Sequence, residues 1–235
     1  MRGARWKILF SLVLAMLGTA NASASASASA NPSASASALE QQLHAAAQQG
    51  DAAHVRAALA QGAAVDAPNR RGETPLLIAT HHNQVEVARL LIAAGADVNA
   101  KDKMHDSPYL YAGARGHNAI LQMTLEHGAD LKSLNRYGGT ALIPAAERGH
   151  VETVGILIDA GVDVNHINQL HWTALMEAIV LGDGGPRHVE IVRKLVDAKA
   201  DVHIPDAEGR TPLQHARQRG YRDIEAILRN AGAQR

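Results

Sequence analysis

The chain has 235 residues, no cysteine, and 23 basic against 23 acidic residues. Lack of cysteine excludes disulfides, lipid attachment through a thioether and thiolate metal sites, and balanced charge gives no footing for nucleic acid or an anionic membrane. The single phenylalanine, Phe10, lies near the start, so aliphatic side chains between stacked helices must do the packing.

Arg2, Arg5 and Lys7 precede an apolar run from Ile8 to Leu17. A run of that length is about half of the 20 or so residues that a membrane-crossing helix needs. Residues 1–22 are therefore expected to be a signal peptide, with Ala20-Asn21-Ala22 supplying the small residues of a cleavage site. A retained anchor is the alternative. Arg2 and Arg5 are not adjacent, which argues against a twin-arginine signal. The expected destination is the periplasm or the cell exterior, with no membrane span after cleavage. Residues 23–38 alternate Ser and Ala around Asn31-Pro32. Without large apolar groups to offset chain entropy, they are expected to form a disordered linker. No acidic residue precedes Leu39, so loss of Arg2, Arg5 and Lys7 leaves the mature chain slightly acidic.

The rest is repetitive. In the stretch from Gly72 to Met104, Thr74 occupies a helix N-cap position and Pro75 the first helical position, where its fixed φ suits a helix and its missing N–H is not needed. Asn83 ends that helix. A second follows with Val85, Ala88, Leu91 and Ile92 at three- and four-residue spacing, closed by Gly95. Ser107-Pro108, Thr140-Ala141, Thr173-Ala174 and Thr211-Pro212 repeat the start signal. Gly62, Gly95, Gly128 and Gly161 repeat the closing one, each opening a short polar connection such as Gly95-Ala96-Asp97-Val98-Asn99. The units read as 39–71, 72–104, 105–137, 138–170, 171–208 and 209–235, the first and last being polar-faced caps. Pro144 falls in the first turn of its helix and costs about one hydrogen bond. Gly155, inside a helix, reads as a site of close packing in preference to a hinge. Unit 171–208 carries a five-residue insertion, Asp183 to Arg187, expected to enlarge the turn between its helices. It lacks the Gly-Lys-Ser/Thr of a phosphate loop and is kept as a minor contact region.

This period, with its Thr-Pro-Leu start, resembles the ankyrin repeat. The stretch HWTALMEAIVLGDGGP, His171 to Pro186, is also similar to one in bacterial ankyrin-repeat proteins. The resemblance implies an all-α solenoid of about six repeats, helix-turn-helix units joined by β-hairpin connections. It also implies a non-catalytic role: a partner protein docks in a concave groove made by hairpin tips and the exposed side of each first helix. The tips are Asn69-Arg70-Arg71, Asp102-Lys103-Met104, Asn135-Arg136-Tyr137, Asn168-Gln169-Leu170 and Asp206-Ala207-Glu208. None of these positions is expected to be needed for the framework. Tyr137, Met104, Leu170, Trp172, Val180 and Leu181 are expected to form an aromatic and apolar hot spot. Arg70, Arg71, Lys103, Arg115, Arg136, Arg148 and Arg210 would surround it and favour an exported partner with an acidic or apolar patch. For Trp172 the alternative is burial against its own loop.

His105 and His171 occupy the loop position held elsewhere by Gly72, Gly138 and Gly209, which asks for positive φ. His117, His150 and His188 share one slot before the second helix and read as structural, as does His44, which follows the start leucine. His81-His82 with Glu86 could hold a surface ion at most. No metal motif or nucleophile constellation is present, so no cofactor is expected. The rival functions are a metal- or small-molecule-dependent enzyme using the inserted loop with His171, Glu177 and Asp183, and a passive envelope-stabilising protein.

Overall fold

The structure, a computed structural model, describes residues 32–234. The expected signal peptide and residues 23–31 of the expected linker lie outside that range. The described residues form α1 (Pro32–Gln49), α2 (Ala52–Ala60), α3 (Pro75–His81), α4 (Val85–Ala93), α5 (Pro108–Arg115), α6 (Asn118–Glu126), α7 (Leu142–Glu147), α8 (Val151–Asp159), α9 (Ala174–Val180), α10 (Pro186–Asp197), α11 (Pro212–Arg219) and α12 (Arg222–Asn230). Each odd-numbered helix packs on the even one that follows and on the odd ones before and after it. Even-numbered helices do the same. The result is the expected all-α solenoid, two helix layers in single file.

The core follows from the repeat. The leucine two residues after each start signal is fully enclosed at Leu76, Leu142, Leu175 and Leu213, with Leu43 and Tyr109 in the same slot. Ala79, Ala112, Ala145, Ala178 and Ala216, three residues further on, let neighbouring helices approach. Gly113 marks a very close approach, since a Cβ there would lie 2.8 Å from the Ala141 Cβ.

The starts are capped as expected at four of five positions. Thr74, Ser107, Thr173 and Thr211 each accept a side-chain hydrogen bond from the N–H three residues on, and Pro75, Pro108 and Pro212 follow three of them. Thr140 does not cap. Elsewhere the carbonyl of the capping residue takes the N–H four residues later, as in Ile78 to Thr74. That donor is absent at Pro144. The Thr140 carbonyl takes the Ile143 N–H instead, the helix starts later at Leu142, and the Thr140 hydroxyl is buried without a partner.

Three expectations are corrected. Residues 32–38 of the stretch expected to be disordered form the first turns of α1. Pro32 suits a first turn, alanine is the best helix former, and extending a docked helix is far easier than nucleating a free one. The connections are not β-hairpins, because no described residue is in a strand. Two backbone hydrogen bonds close each tip, as in Asn69 N–H to the Glu73 carbonyl and Gly72 N–H to the Asn69 carbonyl, with Lys103 and Gln169 reaching back to Arg71 and Tyr137 of the preceding tip. Gly155 is not a close-packing site: a Cβ there would meet only the Lys194 Nζ, 3.7 Å away.

The tip Asn and Asp residues are framework, contrary to their reading as free positions. In all five tips the side-chain Oδ1 accepts the N–H groups two and four residues later: Asn69 from Arg71 and Glu73, Asp102 from Met104 and Asp106, Asn135 from Tyr137 and Gly139, Asn168 from Leu170 and Trp172, and Asp206 from Glu208 and Arg210. One oxygen thus satisfies two donors that no helix or sheet would satisfy. His105 (φ 62°) and His171 (φ 60°) do take the left-handed conformation of Gly72 and Gly138.

A second device joins neighbouring repeats. His117 donates to the Thr80 carbonyl, His188 to that of Glu147, Gln84 to that of Gln48 and Tyr221 to that of Gly182. Each acceptor lies in or just past the last turn of a preceding odd-numbered helix, where carbonyls lack helical partners. His150, in the same slot, instead lies over Gly116, where a Cβ would come within 2.9 Å of its Nδ1. His44 donates to the Ala67 carbonyl, as expected.

Two substitutions test this account by urea denaturation. Gly155→Ala should stabilise the fold by about 1 kcal/mol, because the site has room and alanine is the better helix former. Asn135→Ala should destabilise it by about 1–2 kcal/mol through two lost loop hydrogen bonds.

Candidate functional site

A cleft of about 380 Å³ runs along the exposed sides of α5, α7 and α9, under the tips that carry Asn135 to Tyr137 and Asn168 to Leu170. Of the residues expected to bind a partner, it brings together Arg115, Arg136, Tyr137, Arg148, Leu170 and Leu181. Tyr137, Leu170 and Leu181 are 56, 53 and 51% exposed, which is much for such side chains. Arg136 lies over the Tyr137 ring, 5.1 Å from its centroid, and reaches Asp106 at 3.8 Å. Arg115 covers Tyr111 at 5.4 Å, and Arg148 donates to the Ala114 carbonyl at 2.7 Å.

The other expected residues lie outside this lining. Trp172 and Val180 are half-buried. Trp172 precedes α9, its N–H and carbonyl both bonded to Asn168. Met104 is exposed on an earlier tip. Arg71 is committed to the buried carboxylate of Glu73 at 2.7 Å, and the Lys103 ammonium donates to the Arg70 carbonyl. Arg70 and Arg210 are exposed at separate tips.

The cleft also holds residues not expected to bind a partner, Tyr111 and Glu177 among them. They share one repeat slot, four residues after the start, filled in turn by Ile78, Tyr111, Pro144, Glu177 and His215. Variation at one position between a fixed leucine and a fixed alanine is the signal that could have found them. From this slot a side chain reaches the tip Asn or Asp: Asn168 donates to Glu177 Oε1 at 2.8 Å, and His215 meets Asp206 at 2.7 Å with both buried. Glu177 is 5% exposed. Burial, with Glu147 adding repulsion, pushes its carboxyl up to about 7, against the opposing pull of the Asn168 hydrogen bond and of Arg148.

The inserted turn is part of the scaffold. Asp183 Oδ1 accepts the Gly185 N–H at 2.9 Å and meets His188 Nδ1 at 2.7 Å. At Gly184, with φ +67°, a Cβ would come within 2.4 Å of the Tyr221 ring. His171 and Asp183 lie beyond opposite ends of α9, so the three residues of the rival enzyme do not form one group. Glu86 pairs with Arg56 at 3.0 Å, whereas the His81 ring packs at a tilt against Tyr111, centroids 4.2 Å apart, and faces Glu73 at 3.5 Å. The surface-ion reading of His81, His82 and Glu86 is therefore dropped. Among the described residues no three His, Asp or Glu are grouped as metal ligands.

The family model for ankyrin repeats (3 copies) matches residues 21–102 and 109–206, more than half of the chain. The chain belongs to the ankyrin-repeat family. An ankyrin repeat domain from Acinetobacter baumannii AYE is 59% identical, with a TM-score of 0.80, over 82% of this chain and 98% of that one. The ankyrin repeat protein EF0377 is 44% identical, with a TM-score of 0.78, over 81% and 97%. The ankyrin repeat protein YahD of Escherichia coli (strain K12) is 47% identical over 57 residues, which span 24% of this chain and 28% of that relative. Ankyrin repeats are in general protein-binding modules without catalytic activity.

The Glu177 carboxyl gives the fold a defined pH response. Its folded value, about 7, lies above the ordinary 4.5, so between those values the folded state binds more protons than the unfolded one. Stability is then lost as pH rises from about 4.5 and levels off above about 7. The effect corresponds to roughly 3 kcal/mol. Glu177→Gln keeps the acceptor for Asn168 and removes the charge. Its unfolding free energy should exceed that of the parent by up to that amount at pH 8, and the gain should vanish near pH 4.

Proposed function

We propose that this chain is an exported, non-catalytic binding module that holds a partner protein in the cleft between α5, α7 and α9. The observation that carries the reading is the cluster of exposed Tyr137, Leu170 and Leu181 beside a formed cleft. Large exposed apolar side chains lining one cleft and rimmed by Arg115, Arg136 and Arg148 are the usual make-up of a binding hot spot. The tips are fixed by their Asn and Asp side chains, so little ordering entropy is spent on docking. The arginine rim suits a partner with an acidic patch around an apolar centre. Export to the periplasm, or secretion, rests on the basic and apolar leader of residues 1–22, and no described helix is long and apolar enough to cross a membrane.

Capture from periplasmic extract tests this reading and separates it from a passive envelope role. The parent chain should retain a stoichiometric partner, and Tyr137→Ala with Leu170→Ala should weaken retention at least about tenfold. Met104→Ala with Arg210→Ala, outside the cleft, should not. An unchanged set of retained proteins in the cleft variant would discard the proposal.

A further inference from the structure

We infer that the floor of the cleft is a subsite for a cationic side chain, a lysine or arginine of the partner, received by the carboxylates of Glu177 and Glu147. The inference rests on the binding role proposed above and specifies what the partner must present there.

Three observations meet at this point. Glu177 lines the cleft although it is 5% exposed, and only one of its carboxylate oxygens takes a hydrogen bond from the described residues, from Asn168. The other oxygen takes no hydrogen bond from the described residues, in a side chain that lines the cleft. Glu147, one repeat earlier on α7, lines the same cleft, and among the described residues neither carboxylate forms an ion pair. Finally, the walls are Tyr111, Tyr137, Leu170 and Leu181, surfaces that accept the aliphatic stem or planar head of a basic side chain.

The native arginines do not fill this role. The Arg136 head is drawn to Asp106 and the Tyr137 ring, that of Arg115 lies over Tyr111, and that of Arg148 is turned to the Ala114 carbonyl. All three are exposed, so salt screens them, whereas a carboxylate at the cleft floor is screened far less. Of the charged groups on elements packed against α9, His215 is paired with Asp206 on the α11 side and His188 with Asp183 on the α10 side. Two unpaired carboxylates that repel each other in a partly dry cleft are relieved by one cation placed between them. The raised proton affinity of Glu177 is the same repulsion and burial seen in the absence of that cation. The partner is thereby specified as a basic anchor residue set among acidic or apolar neighbours, the basic group for the floor and the acidic ones for the arginine rim.

The test uses the purified protein and two small probes of equal shape, N-acetyl-arginine amide and its uncharged isostere N-acetyl-citrulline amide. They are titrated while the Glu177 and Glu147 carboxyl carbons and the cleft amides are followed by NMR. The arginine probe should give saturable shifts centred on these groups, with a dissociation constant on the order of millimolar, as befits a fragment. Citrulline amide should bind at least about tenfold more weakly. Glu177→Gln, which keeps the Asn168 hydrogen bond, should weaken the arginine probe by a similar factor while leaving the rest of the spectrum in place. Equal binding of the two probes, or undiminished arginine binding to Glu177→Gln, would overturn the subsite. If partner capture still depends on Tyr137 and Leu170 in that case, the binding cleft stands and only the cationic subsite falls.

Discussion

A turn between two helices that belongs to no sheet leaves backbone N–H groups with nowhere to go, and an unsatisfied donor is costly wherever water is scarce. This chain solves that problem the same way five times. A single Asn or Asp oxygen at Asn69, Asp102, Asn135, Asn168 and Asp206 accepts two N–H groups of its own loop. The helices are short, six to twelve residues for all but α1, and short helices are marginal on their own. What keeps them in register is the loop oxygen on one side and the bond from Gln84, His117, His188 or Tyr221 to the preceding helix end on the other.

These two devices also make the cleft. Because the tips are closed by their own side chains, Tyr137 and Leu170 are held out from the array with more than half of their surface exposed, where a free loop would fold them inward. In two repeats the same geometry buries the loop side chain, Asn168 or Asp206, and the slot four residues after the helix start supplies a partner for its second atom. Where that partner is His215, the pair with Asp206 is satisfied. Where it is Glu177, one oxygen is satisfied and a charge is left beside Glu147, so the framework turns into a surface with a chemical preference.

Much of the fold was legible in the sequence because its causes are local. Thr74-Pro75, Ser107-Pro108 and Thr211-Pro212 announce helix starts through the chemistry of one cap and one ring, and His105 and His171 reveal a left-handed turn because glycine fills that place in other units. What was not legible depends on what lies opposite. A glycine in a helix says that a side chain is missing, not whether anything would collide with it, so only the structure shows that Gly155 has room for one. The Asn and Asp of each tip stand out in the sequence but their framework role does not, since a hydrogen bond from the N–H two and four residues on leaves no mark on hydrophobic periodicity. For Trp172 the sequence leaves groove and burial both open, and only the loop geometry places it half-buried beside Asn168 and Tyr137 at the cleft. The raised proton affinity of Glu177 comes partly from the charge of Glu147 in the adjacent repeat, which no reading of one unit could supply.

Native-state hydrogen exchange at the tip amides tests the central claim most directly. If loop oxygens hold the cleft in a preformed shape, the N–H groups of Tyr137, Gly139, Leu170 and Trp172 should exchange as slowly as those in the neighbouring helices, although no strand or helix contains them. Exchange at the rate of an open chain, with the helices still protected, would contradict it, because the walls of the cleft would then form only when a partner arrives.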